Sequence, residues 1–240
     1  GSEIKNYIYI SWCLWAFLVH RQKQVLAAHV DKRIPFYSGI PKGTNAITLN
    51  YTSFLEIQLG RAHTVYFHGG LSEYVRMDTR DLVEIENILN CEPAEFIASD
   101  IAPNIDVADE SCENQRHVIP ALVPPLRLKP ILSHKYIELW HKASQWVHSA
   151  TKIIVVGYSF NNADEHFNDI LRVNRDKKFD IVGPHVHSKA FLKRIEKVLG
   201  TPTDNWVTCH VQNKPCKKAG NVRLIEAKAD EVNLEELFAN

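Results

Sequence analysis

Hydrophobic positions along the chain follow two periods. Short apolar or β-branched runs at residues 46–49, 63–67, 121–123, 152–156, 179–182, 207–211 and 222–227 have the length and composition of strands. Ile153-Ile154-Val155-Val156 shows no alternation, which suits a strand covered on both faces. Other apolar residues recur at steps of three and four. Tyr136, Leu139, Trp140, Ala143, Trp146 and Val147 share one face of a helix predicted over 133–150, with Ser133 as its N-cap. Residues 165–173, 189–199 and 234–238 read as further helices, and a helix also follows the strand at 46–49. Residues 7–19 form a 13-residue apolar stretch broken only by Ser11. A membrane span needs about 20 apolar residues, so a buried helix is expected there.

Strand and helix in alternation, with buried strands, predict an α/β protein whose mainly parallel, Rossmann-like sheet carries helices on both faces. The sequence reads as one domain over 1–240. Its parts are an N-terminal helical segment (1–45), a core (46–184) and a C-terminal helix with strands (185–240). Residues 91–118 are polar and acidic, carry Pro93 and Pro103, and are expected to form an insertion or lid. The opening Gly1-Ser2, with no initiator methionine after it, suggests a tag remnant on a piece of a longer polypeptide.

Charge narrows the partners. The 28 lysines and arginines balance the 28 aspartates and glutamates, so no overall basic excess attracts nucleic acid or an anionic membrane. The local run Lys214-Pro215-Cys216-Lys217-Lys218 lacks interleaved aromatics and reads as a solvated hairpin tip. Cys13, Cys91, Cys112, Cys209 and Cys216 include no C-x-x-C pair, and they read as reduced thiols of a cytoplasmic protein without a metal. Trp12, Trp15, Trp140 and Trp146 fit either a core or an oligomer face.

Ligands of open parallel sheets sit beyond the carboxyl ends of the strands. Three predicted strands end there in polar residues. The first ends in Thr48-Leu49-Asn50-Tyr51-Thr52, followed by Ser53 and Glu56 as a capping box; Asn50 either closes the turn or holds a ligand hydroxyl or water. The second ends in His68-Gly69-Gly70, where the imidazole is either a structural hydrogen-bonder or a general base and the glycines allow close approach. The third ends in Gly157-Tyr158-Ser159-Phe160, with Asp164 at the start of the next helix, and is either a tight turn or a bend facing a ribose. It is neither a Walker loop nor a full G-x-G-x-x-G fingerprint. His117, His134, His141, His148, His185 and His187 are expected on surfaces or in loops.

In this order, Thr48-x-Asn50-Tyr51, His68-Gly69 and Gly157-Tyr158-Ser159 with Asp164 resemble the motifs of sirtuin-like domains in bacterial anti-phage defence proteins. Val123-Pro124-Pro125 through Lys129 is similar to that family's proline-lysine strand end. The resemblance implies that NAD is the substrate and is hydrolysed to nicotinamide and ADP-ribose. Asn50 and His68 would be catalytic, with Thr48, Gly69, Gly157, Tyr158, Ser159 and Asp164 lining the nucleotide. It also implies a homo-oligomer or a sensor partner that restrains the activity. Two features depart from the family: Thr52 replaces an aspartate, and no glycine-rich pyrophosphate turn precedes Asn50. Those departures leave a second expectation, a catalytically degenerate nucleotide-binding or assembly module, and the Asn50-Tyr51-Thr52 and His68-Gly69 pair is also similar to the AbiH abortive-infection family.

Overall fold

Residues 8, 12, 15 and 19 repeat at helical spacing, and in the computed structural model they form the buried face of a 26-residue helix. The structure describes residues 2–29, 34–104, 117–123 and 133–239. Cys112, the proline-lysine segment at Pro124, Pro125 and Lys129, and much of the 91–118 stretch lie outside the described residues. In chain order the first elements are α1 (Ser2–Ala27), α2 (Pro35–Ser38), β1 (Ala46–Thr48), α3 (Phe54–Leu59), β2 (Thr64–Tyr66), β3 (Glu73–Arg76), β4 (Leu82–Glu84), α4 (Pro93–Phe96) and β5 (Val118–Pro120). They are followed by α5 (Lys135–Ser149), β6 (Lys152–Val156), α6 (Glu165–Val173), β7 (Lys178–Gly183), α7 (Lys189–Leu199), β8 (Val207–Val211), β9 (Lys214–Ala219), β10 (Val222–Glu226) and α8 (Leu234–Ala239). The fold is mixed α/β. Among the described residues, no helix is long and apolar enough to cross a membrane.

The chain divides into two compact units. One takes the described residues of 1–34, 43–123 and 133–142; the other takes residues 35–42 and the described residues of 143–240. These boundaries cut across the predicted 46–184 core.

In the first unit β1 and β2 pair in parallel, and β4, β3 and β5 form an antiparallel sheet in that order. Trp12 and Trp15 are core residues, edge to face at 5.3 Å. Each buried indole N–H has an acceptor: Trp12 donates to the Val118 carbonyl at 2.9 Å and Trp15 to that of Leu71 at 2.8 Å. Ile85, Ile88 and Ile101 complete this core. The 91–118 stretch begins not as a bare loop but as α4, a π-helical turn (Ile97–Ile101) and a 3-10 turn (Ala102–Asn104). The strand predicted at 121–123 forms three residues earlier, as β5. Pairing with β3 selects this register and draws His117 inward. Its carbonyl accepts from Met77 N–H at 2.8 Å, and its imidazole is buried, with no hydrogen-bond partner among the described residues, so of the expected surface or loop position only the loop holds.

The second unit holds a five-stranded mixed sheet in the order β6-β7-β10-β9-β8. β6, β7 and β10 are parallel, whereas β9 and β8 join as antiparallel strands, so the sheets are smaller and more mixed than the single, mainly parallel sheet expected. The basic run 214–218 lies in β9, between two strands, rather than at a hairpin tip. The tip is Gln212-Asn213, whose φ angles of 52° and 62° are those of the two-residue turn favoured in hairpins.

Asp180 on β7 sits almost completely buried between cations on its two neighbouring strands. Arg223 grips both of its oxygens, at 2.5 and 2.6 Å, and Lys152 approaches to 2.8 Å. Burial alone would raise this carboxyl, but hydrogen bonds from Arg223 and Lys152 outweigh it and hold the group below the ordinary aspartate value. The resulting stability is present above the unfolded value of about 3.9 and is lost as pH falls through the lower folded value. Asp180→Ala leaves the two cations without their carboxylate and should cost about 3 kcal/mol at neutral pH in urea unfolding. The gap between parent and variant should close on acidification below about pH 4. A gap independent of pH would show that the carboxylate's charge is not what stabilises the sheet.

Candidate functional site

Parallel pairing in register sets the geometry of the first unit. Thr48 lies opposite Tyr66, so Asn50 and His68, each two residues further on, leave adjacent strands at the same end. Phe67 N–H donates to the Thr48 carbonyl at 2.9 Å, and Leu71 N–H donates to that of Tyr51 at 3.0 Å. The two exits therefore run side by side. The Thr48 hydroxyl accepts the Asn50 N–H at 3.0 Å, a local turn that occupies its oxygen and leaves the Asn50 side chain exposed.

His68 is buried, and the backbone around it is tied on several sides. Its carbonyl accepts from Val123 N–H at 2.8 Å, and the carbonyl of Phe67 accepts from the Trp140 indole at 2.9 Å. The rings of Phe67 and Trp140 stack at 5.5 Å. The Tyr51 hydroxyl donates to the Val123 carbonyl at 2.8 Å, closing the knot from the Asn50 side. Gly69 has φ +78°, and a Cβ there would overlap the Ala121 carbonyl oxygen and crowd the Tyr136 hydroxyl at 2.9 Å. The close backbone approach predicted at this glycine is thus made to Ala121.

Next to these exits lies a part-buried polar cluster that the sequence did not reveal. Arg61 pairs with Glu56 at 3.2 Å and with the buried Glu73, and its guanidinium lies 5.4 Å from the centre of the Tyr66 ring. Burial, reinforced by the Glu56 carboxylate, makes the Tyr66 phenol far less acidic than usual. The predicted Ser53–Glu56 capping box does not form. Ser53 has φ −82° and ψ 12°, not the extended backbone of an N-cap, and its N–H donates to the Gln22 side chain at 2.6 Å. Glu56 is drawn to Arg61 instead. No periodicity or spacing marks Arg61 and Glu73 as partners; the β1–β2 and β3 geometry alone brings them together.

In the second unit, the exit of β6 is partly open and partly built in. Gly157 has φ +68°, and a Cβ there would meet nothing within 4 Å among the described residues. Ser159 is exposed. Tyr158, by contrast, donates its hydroxyl to Asn168 at 2.8 Å, and the Asn168 amide donates to the Asn161 carbonyl at 2.8 Å. Asp164 is buried and precedes α6 without a side-chain capping bond. Phe160 is buried at φ +53°, a conformation rare for a bulky residue, and packs edge-on against Phe191 at 5.7 Å.

A cavity of about 540 Å³ in the first unit lies elsewhere, lined by Glu84, Glu86, Glu92, Glu95 and Asp100 among others. Five carboxylates disfavour the phosphates of a nucleotide there. Burial and the neighbouring acids raise the Cys91 thiol at its edge, against the pull of Lys23, which makes it a poor nucleophile. Among the described residues, no cluster of three or more histidines, cysteines or carboxylates could hold a metal ion.

No protein-family model matches the chain, and neither does any curated protein.

The two glycines make opposite predictions. Gly69→Ala combines overlap with backbone strain and should lower unfolding stability by about 3 kcal/mol or more. Gly157→Ala meets open space and should cost about 1–2 kcal/mol, from its left-handed backbone alone. Urea denaturation of both variants measures the difference; equal losses would mean that the Gly69–Ala121 approach is not tight.

Proposed function

We propose that this chain is a Rossmann-like, sirtuin-like domain that hydrolyses NAD to nicotinamide and ADP-ribose as a cytoplasmic effector of anti-phage defence. The observation that supports it most is the in-register β1–β2 pair, which brings Asn50 and His68 to one end of neighbouring strands. In this reading the Asn50 carboxamide orients a ribose hydroxyl or the attacking water. The water oxygen bonds to the anomeric carbon as the bond from that carbon to the nicotinamide nitrogen breaks, and His68 takes the proton. Nicotinamide is cationic in NAD and leaves neutral, so positioning and electrostatics suffice and neither a metal nor a strong acid is needed. Within the second unit, Gly157 leaves an open bend and Ser159 an exposed hydroxyl. Residues 1–49 hold no glycine-rich pyrophosphate turn, so NAD binding by this chain alone is expected to be weak.

A second reading, a degenerate nucleotide-binding or assembly module of AbiH type, draws support from Gly69 being occupied by Ala121 and from Tyr158 and Asp164 being built into the protein. The two readings part in one experiment. Incubation with NAD should release nicotinamide, and Asn50→Ala and His68→Ala should each slow release about 100-fold or more while the urea midpoint changes little for the exposed Asn50. Variants as active as the parent would remove both residues from the chemistry. Calorimetry of the full-length protein, with its fold intact, showing no heat with either NAD or ADP-ribose would favour the assembly module.

A further inference from the structure

Helix α1 is apolar on two sides. Ile8, Trp12, Trp15 and Val19 enter the core, whereas Tyr7, Ile10, Leu14 and Phe17 are 49, 67, 49 and 58% exposed. The two sets lie about 150° apart around the helix axis. Steps of three, four and three along the exposed set give the seam spacing on which two helices interlock side chains. Isolated exposed apolar residues need no explanation; a continuous stripe of them does. The stripe ends in opposite charges, Glu3 on one side and Arg21 on the other, both exposed and both in phase with it.

We propose that this stripe docks a second copy of the chain, with the two α1 helices antiparallel about a two-fold axis level with Trp12. In that register Tyr7 faces Phe17 of the partner subunit, Ile10 faces Leu14 of the partner subunit, and Glu3 faces Arg21 of the partner subunit. Each contact occurs twice, because an isologous interface repeats every pair. A parallel pair would instead set Glu3 against Glu3 and Arg21 against Arg21, so charge selects the antiparallel arrangement. A lipid surface fits less well. An interfacial helix keeps a cationic face towards water, and the side of α1 opposite the stripe is buried in protein.

The area sets the strength. Four side chains about half exposed supply on the order of 400 Å² per subunit, about half of the 800 Å² typical of a stable complex. The dimer is therefore weak and concentration-dependent. This inference is independent of any NAD chemistry.

Sedimentation velocity of the whole chain from about 1 to 200 µM tests it. The mass should rise from one chain to two across that range. Ile10→Glu with Leu14→Glu, at exposed positions, should leave a monomer throughout, with an unchanged urea midpoint confirming the fold. Glu3→Lys and Arg21→Glu should each weaken the dimer by about threefold, and the double charge swap should restore it. A parent chain that stays monomeric overturns the proposal, as does a dimer indifferent to the stripe variants. So does a charge swap without rescue. A monomer that instead sediments with anionic phospholipid vesicles would make the stripe a membrane contact and likewise overturn it.

Discussion

The backbone approach of Gly69 to the Ala121 carbonyl is the constraint on which the first unit depends. Because no side chain intervenes, the exit of β2 can rest directly on residues 121–123. There Val123 donates to the His68 carbonyl and accepts from Tyr51. Segments near residues 50, 68 and 122 are thereby fastened together by main-chain groups that would otherwise be costly to bury. Trp140 adds a fourth attachment through the Phe67 carbonyl. His68 owes its position to this framework of backbone hydrogen bonds, and Asn50 stays outside it, exposed at the edge of the same knot. The backbone that carries this imidazole, held in this way, has little freedom to move.

The second unit is organised around charge. Asp180 interacts with residues from both flanking strands, and its bonds to Arg223 and Lys152 bridge the three parallel strands. Such a buried ion pair stabilises less than a hydrophobic replacement often would, but loss of one partner is severe. Beyond this point the sheet changes direction, with β9 and β8 added antiparallel. The register sets Cys209 opposite Cys216, and burial together with that neighbour pushes the Cys216 thiol up to about 12. At the exit of β6, Tyr158, Asn168 and Asn161 satisfy one another, which leaves Gly157 and Ser159 as the parts of the motif that face outward.

Much of the helical structure was legible from periodicity, because amphipathic spacing reports burial directly. Lys189–Leu199 matches its predicted bounds, and Lys135–Ser149 lies within the expected 133–150. Strands whose partners were close in kind, such as Lys152–Val156, were equally plain. β3 and β4 were not, since Glu73–Arg76 and Leu82–Glu84 carry charge and gain their strand character from pairing rather than from composition. The basic residues of β9 concealed a strand for the same reason. At the candidate site, the strand ends after Thr48 and Tyr66 could be placed from apolar runs, and their shared direction follows from parallel pairing. What held Gly69, and what Arg61 and Glu73 do, depended on contacts between residues far apart in the chain. No local pattern encodes those contacts.

One small feature reaches further than its size. The bend after β6 keeps Phe160 in a left-handed conformation that its own backbone disfavours, and the ring of Phe191 on α7 is part of what offsets that cost. If either ring drifted to a small residue, the other would be left supporting a strained turn without its counterweight. The two positions therefore form a single heritable module, free to change together towards glycine and a refilled core but poorly able to change one at a time.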